Sequence, residues 1–100
     1  MTINSTRQGS TMTIVLDGRL DANTSMELEK YLDDNLDDAE NLIFDFENMG
    51  YISSAGLRTV LSTRKRLEGD NSSVKIINAS QNIIDIFTST GFCEIIEINS

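Results

Sequence analysis

A single α/β domain on a mixed, mostly parallel β-sheet is the fold this sequence predicts, and three observations predict it. Apolar strand-like runs alternate with helical patterns in the order β-β-α-β-α-β-α-β, which requires parallel strands joined through helices. The first two runs are separated only by Gly9-Ser10, a hairpin that supplies the antiparallel part. The 100 residues are 39% apolar and 24% charged. That suits one ordinary globular core, and one domain over residues 1–100 is expected.

Taken in order, Thr2 to Gln8 reads as a loose first strand and Thr11 to Leu16 as a second, closed by Asp17-Gly18. After Arg19-Leu20-Asp21-Ala22, the pair Asn23-Thr24 begins a helix. Thr24 and Glu27 have capping-box spacing, and Leu28, Tyr31, Leu32 and Leu36 recur at helical steps. Nine acidic residues then stand between Glu27 and Glu47 against Lys30 alone. Asp33, Asn35 and Asp37 mimic the start of a calcium loop. Asp38 stands where that loop needs glycine and Phe44 where it needs a bidentate glutamate, so a solvated helix face with its exit loop is expected.

Leu42 to Phe46 is apolar apart from Asp45, which predicts a central strand covered on both faces, with Asp45 either an acceptor at the strand end or part of a site. The turn-formers Asn48 and Gly50 follow. A second helix is expected from about Ser54 to Glu68, with Leu57, Val60, Leu61 and Leu67 on one face, ending in the loop Gly69 to Ser73. Val74 to Ile77 is a short strand. Asn78 to Ser80 cap a third helix whose apolar face is Ile83, Ile84, Ile86 and Phe87 and whose end is Gly91; Ile95, Ile96 and Ile98 mark a last edge strand.

Composition narrows the chemistry. Histidine is absent, which removes the commonest general base, the Ser-His-Asp and Cys-His arrangements and every histidine-based metal site. Phosphate-loop, dinucleotide-glycine and nucleophile-elbow patterns are missing. Ser62-Thr63-Arg64-Lys65 meets the Ser-x-x-Lys form inside a helix without companion motifs. No catalytic residue, metal or cofactor is expected. The net charge of −8 disfavours nucleic acid and anionic membrane surfaces, and no apolar run approaches the 18 residues of a membrane span. Met1 to Ser10 lacks the apolar stretch of a signal peptide, so four matches to the glycosylation pattern carry no weight and a cytoplasmic location is expected. Lone Cys93 excludes an internal disulfide and reads as a buried structural thiol.

Half of the eight basic residues, Arg58, Arg64, Lys65 and Arg66, fall on the central helix. Cations in a last turn complement the helix dipole, but Arg58 is in the first turn and is better explained by an anionic partner surface or phosphate. The serine pair Ser53-Ser54 sits where strand hands over to helix. One serine can cap the helix; alternatively, Ser54 is exposed there and modified, a phosphate adding about −1.5 to −2 charges.

Phe44-Asp45-Phe46 through Tyr51-Ile52-Ser53-Ser54-Ala55-Gly56-Leu57-Arg58 resembles the signature of the STAS domain, as found in bacterial anti-sigma factor antagonists. Leu16 to Asp21 looks like that family's second strand and turn, and Ile86 to Phe92 like its last helix and exit. The resemblance implies a non-enzymatic partner switch. The unmodified protein binds an anti-sigma factor that is also a serine kinase, phosphorylation releases it, and a serine phosphatase restores binding. The acceptor aligns with Ser54; Ser53, which stands where many members have aspartate, is the alternative acceptor. The implied partner-facing surface comprises Asp21, Asn23, Thr24, Gly50, Tyr51, Ser53, Ser54 and Arg58. Within the same family the alternative is an unphosphorylated subunit of a membrane transporter or lipid-transport ATPase. A different class, a small enzyme or nucleotide-binding domain using Asp21, Asp45 and Ser54, lacks histidine and a phosphate-cradling loop.

Overall fold

The computed structural model describes residues 1–36, 39–67, 69 and 72–100. Five strands form one sheet in sequence order: β1 (Thr2–Gln8), β2 (Thr11–Leu20), β3 (Asn41–Ile52), β4 (Ser73–Ile77) and β5 (Glu97–Ile98). The β1–β2 hairpin is antiparallel and turns at Gly9, whose φ of +61° suits glycine. All other neighbours are parallel. Helices α1 (Ala22–Asn35), α2 (Ser54–Arg66) and α3 (Gln81–Ser89) make the crossovers. The predicted mixed sheet and element order are therefore present.

The predicted covering of β3 on both faces is not. Three successive parallel crossovers all step the same way across the sheet, and right-handed crossovers then place every helix on one face. Burial follows a strict alternation. Met12, Ile14 and Leu16 of β2, Leu42, Phe44 and Phe46 of β3, and Val74 and Ile76 of β4 are buried under the helices with Leu28, Leu32, Val60, Ile83 and Phe87. Thr13, Val15, Ile43, Asp45, Lys75 and Ile77, on the opposite face, are half-exposed. The start of that face, among Thr11, Asn41, Ile43, Ser73, Lys75 and Glu97, holds a shallow depression of about 390 Å³.

Both central strands outrun their predicted ends. β2 continues past Asp17-Gly18 because register shifts at Val15/Asp17 and Gly18/Arg19 absorb the irregular backbone, and Gly18 takes a φ of +126°. β3 runs on through Asn48 and Gly50 beside it, anchored by buried Met49 and Ile52. Helix α1 begins one step before Asn23, capped by Asp21, so the box pairs Asp21 with Thr24 rather than Thr24 with Glu27.

Ser80 caps α3 as predicted, its Oγ accepting from the Ile83 N–H; Ile83 and Phe87 are buried, while Ile84 and Ile86 are partly so. Gly91 (φ +80°) then turns the chain into a 3-10 turn, Phe92–Glu94. That leaves Ile95 outside the last strand and 52% exposed, Ile96 buried ahead of it, and only Glu97–Ile98 paired with β4. Cys93 lies in that turn half-exposed, not fully buried. The predicted helix end at Glu68, Asp70 and Asn71 of the following loop, and Asp37 and Asp38 of the acidic segment lie outside the described residues.

Candidate functional site

Parallel strands that share a register also bring their carboxyl ends together. Leu20 and Ile52 are register partners, and the Ser53 N–H donates to the Leu20 carbonyl at 2.9 Å. The β2–α1 and β3–α2 junctions therefore lie side by side. Gly56 makes the approach possible. A Cβ there would stand 2.8 Å from the Leu20 carbonyl oxygen and 2.9 Å from both Leu20 Cγ and Ile52 Cγ1, so the first turn of α2 rests directly on the end of β2.

On the first junction, Asp21 Oδ1 accepts from the backbone N–H of Asn23 and of Thr24, both at 3.0 Å. Thr24 Oγ1 accepts from the Asp21 N–H at 2.8 Å and donates to the Arg19 carbonyl at 2.6 Å. The Thr24 backbone N–H, ahead of the Thr24 hydroxyl, the Asn23 N–H and the Arg19 charge, holds the Asp21 carboxyl below the usual aspartate value. On the second junction, Ser53 is the N-cap, its Oγ accepting from the Gly56 N–H at 3.2 Å. Ser54 opens the helix, is exposed, and its hydroxyl makes no hydrogen bond to any described residue.

Arg58, one turn further on, is exposed on the same side of α2 as Ser54. Tyr51, 42% exposed, flanks the serines and carries the Arg19 guanidinium 4.3 Å above its ring centroid. Gly50 is exposed, and a Cβ there meets nothing within 4 Å, so packing does not demand glycine. Asp21, Asn23 and Thr24 thus share one end of the sheet with Tyr51, Ser53, Ser54 and Arg58. Asp45 is not among them: its Oδ1 accepts from the Glu47 N–H at 3.0 Å and from Asn78 Nδ2 at 3.1 Å, a structural role near the β4–α3 connection.

Two neighbouring features were not anticipated. Arg19 pairs with Tyr51 only because β2 and β3 extend beyond their predicted ends, and the sequence carries no mark of that extension. Met26, 68% exposed on α1, was detectable, since it falls off the buried face formed by Leu28, Leu32 and Leu36. Among the described residues no group of three or more Cys, Asp or Glu side chains could hold a metal ion. Among the described residues no helix is long and apolar enough to cross a membrane.

Architecture and sequence agree on the class of protein. The chain belongs to the STAS domain family, whose model matches residues 2–100. It is 29% identical over 100 residues to the anti-sigma-B factor antagonist of Staphylococcus aureus, covering 99% of this chain and 93% of that protein. Its fold matches an anti-sigma factor antagonist from Mycobacterium paratuberculosis with a TM-score of 0.87, at 17% identity over 98% of this chain and 84% of the other. It also matches the Bacillus cell fate determinant SpoIIAA in its phosphorylated form with a TM-score of 0.76, at 19% identity over 99% and 92% of the two chains.

Proposed function

We propose that this chain is an anti-sigma factor antagonist: it binds an anti-sigma factor that is also a serine kinase, freeing a sigma factor, and phosphorylation of Ser54 switches that binding off. The kinase transfers the γ-phosphoryl of ATP to Ser54 Oγ, which gives up its proton, and a serine phosphatase hydrolyses the ester to restore binding. The Staphylococcus aureus relative, matched along almost its whole length, supports the antagonist reading. The observation that carries the choice of Ser54 is the division of roles within the pair, since Ser53 Oγ is occupied as the cap while the Ser54 hydroxyl makes no hydrogen bond to the described residues and the residue is exposed.

The fold tolerates the modification for a physical reason. A phosphate at the first helical residue lies against backbone N–H groups that lack intrahelical partners and complements the positive end of the helix dipole. The partner-facing surface comprises Asp21, Asn23, Thr24, Gly50, Tyr51, Ser53, Ser54 and Arg58, and roughly two added negative charges at its centre oppose docking by repulsion and desolvation.

The test is incubation with the organism's anti-sigma factor kinase and ATP, read by intact mass and peptide mapping. One phosphate is expected on wild type and on Ser53→Ala, none on Ser54→Ala, and Ser54→Asp should bind the kinase more weakly. Phosphate mapped to Ser53 would overturn the site.

A further inference from the structure

The two edges of the sheet are finished differently. β5 pairs with β4 over two residues, follows the 3-10 turn Phe92–Glu94, and has Glu94 and Glu97 on or beside it. Short length and charge are devices that keep an edge strand from pairing with other chains. β1 has neither. It runs for seven residues, Thr2–Gln8, pairs with β2 without a bulge, and holds no proline, lysine or acidic residue. All 16 Asp and Glu residues of a chain with net charge −8 lie from Asp17 onward, so the hairpin up to Leu16 bears the charge of Arg7 alone.

The turn fixes which backbone groups this edge offers. Gly9-Ser10 is a two-residue turn whose flanking pair, Gln8 and Thr11, exchanges its backbone hydrogen bonds, and such pairs recur at every second position. Gln8, Thr6, Asn4 and Thr2 therefore spend their N–H and C=O groups on β2, while those of Ile3 and Ser5 point outward. Among the described residues no backbone hydrogen bond beyond the β1–β2 ladder reaches Ile3 or Ser5. Side chains alternate too. Ile3 opposes buried Leu16, whereas Asn4 opposes half-exposed Val15, so exposed Thr2, Asn4 and Thr6 share the face away from the helices.

We infer that β1 pairs with β1 of a second copy of this chain, antiparallel about a two-fold axis at Asn4, joining the two sheets into one. In that register Ile3 of each copy opposes Ser5 of the other, which gives every outward N–H and C=O of these residues a partner. Thr2 then faces Thr6 and Asn4 faces Asn4, hydroxyl and amide pairs of the kind that stabilise neighbouring strands. Two copies that repel through their net charge meet here along a stretch free of carboxylates. One cation is too few to hold a nucleic acid or an anionic membrane on that edge. β1 stops opposite Asp17, short of the β2 end at Leu20, so the junctions that hold Asp21 and Ser54 stay open in the dimer. The inference does not depend on the antagonist reading.

The experiment is sedimentation velocity over a series of protein concentrations at low and high salt, with circular dichroism to verify folding. It compares wild type, Asn4→Lys, Asn4→Glu, an equimolar mixture of those two variants, and Glu97→Lys on the other edge. Wild type is expected to pass from one chain to two as concentration rises, and to associate more tightly in high salt, where the net negative charges are screened. Each Asn4 variant alone should associate about tenfold or more weakly, because like charges then meet across the axis. The mixture should regain association, which a fold damaged by either substitution could not do. Glu97→Lys should change association less than about threefold. A wild type that stays monomeric at every concentration overturns the inference. So do Asn4 variants that dimerise like wild type, a mixture no tighter than its components, or a loss at Glu97→Lys equal to that at Asn4.

Discussion

Ser53 and Ser54 are chemically the same residue, yet one position along the chain gives them different work. Ser53 has the extended backbone of an N-cap, with its hydroxyl turned to the Gly56 N–H; Ser54 already belongs to the helix. Ser53→Ala should therefore cost about 1 kcal/mol in urea unfolding while leaving kinase labelling in place. Gly56 is the stricter position. Alanine would gain up to about 1 kcal/mol of helix propensity, but its Cβ meets a backbone carbonyl that no side-chain rotation can move. Gly56→Ala should lower stability by about 1–3 kcal/mol, and an unchanged or raised Tm would show that the two junctions are not pressed together. Asp21 adds a pH dependence. Its carboxyl is held below its ordinary value, so the stabilisation is present above that value and is lost as pH falls through the lowered one. The stability difference between wild type and Asp21→Asn should shrink in acid, and a difference independent of pH would exclude the capping carboxylate as its cause. The serine pair was legible in the sequence, and the family resemblance pointed to Ser54 as the acceptor; that Ser53 is the cap was not legible, because either residue satisfies the same local pattern. The cap of α1 was misread for a related reason: Asp21-x-x-Thr24 and Thr24-x-x-Glu27 have equal spacing, and only the path of the chain out of β2 selects the first.

At the scale of elements, hydrophobic periodicity located all three helices, because each has an apolar face to bury. It failed at strand ends. Asp17-Gly18 and Asn48-x-Gly50 are turn signals locally, but the two segments lie side by side in parallel strands, and their mutual hydrogen bonding with the burial of Met49 and Ile52 outweighs local preference. The last strand was overestimated because three isoleucines read as a run, although the Gly91 turn spends Ile95 and Ile96 on the way into it. One contact between elements was hidden from the sequence. The Tyr31 hydroxyl of α1 hydrogen-bonds the Ser5 hydroxyl of β1, which fastens the edge strand to the helix layer. Tyr31→Phe should cost on the order of 1 kcal/mol and raise hydrogen exchange chiefly in β1. Uniform acceleration across the sheet would mean that the bond supports the whole domain.

For the whole molecule, the strand order β1-β2-β3-β4-β5 decides more than any single contact. It puts every crossover helix on one face, gathers the starts of α1 and α2 at one end of the sheet, and leaves the other face without a layer of its own. Reading Leu42 to Phe46 as covered on both sides followed from its nearly continuous apolar run, since periodicity reports which residues avoid water and not how many layers a fold has. Neighbours within that run supply the decisive comparison. Phe44 is fully buried beneath the helices beside Phe46, with ring centroids 5.9 Å apart, while Ile43 is half-exposed on the opposite face. Phe44→Ala should cost about 3–5 kcal/mol, a large part of the roughly 5–15 kcal/mol that holds a domain of this size together. Ile43→Thr, which keeps a β-branched side chain in the strand, should cost about 1 kcal/mol or less. Guanidinium midpoints for the two variants give both values. If Ile43→Thr costs as much as Phe44→Ala, the second face of the sheet is covered in solution, and a dependence of that cost on protein concentration would identify the cover as another copy of the chain.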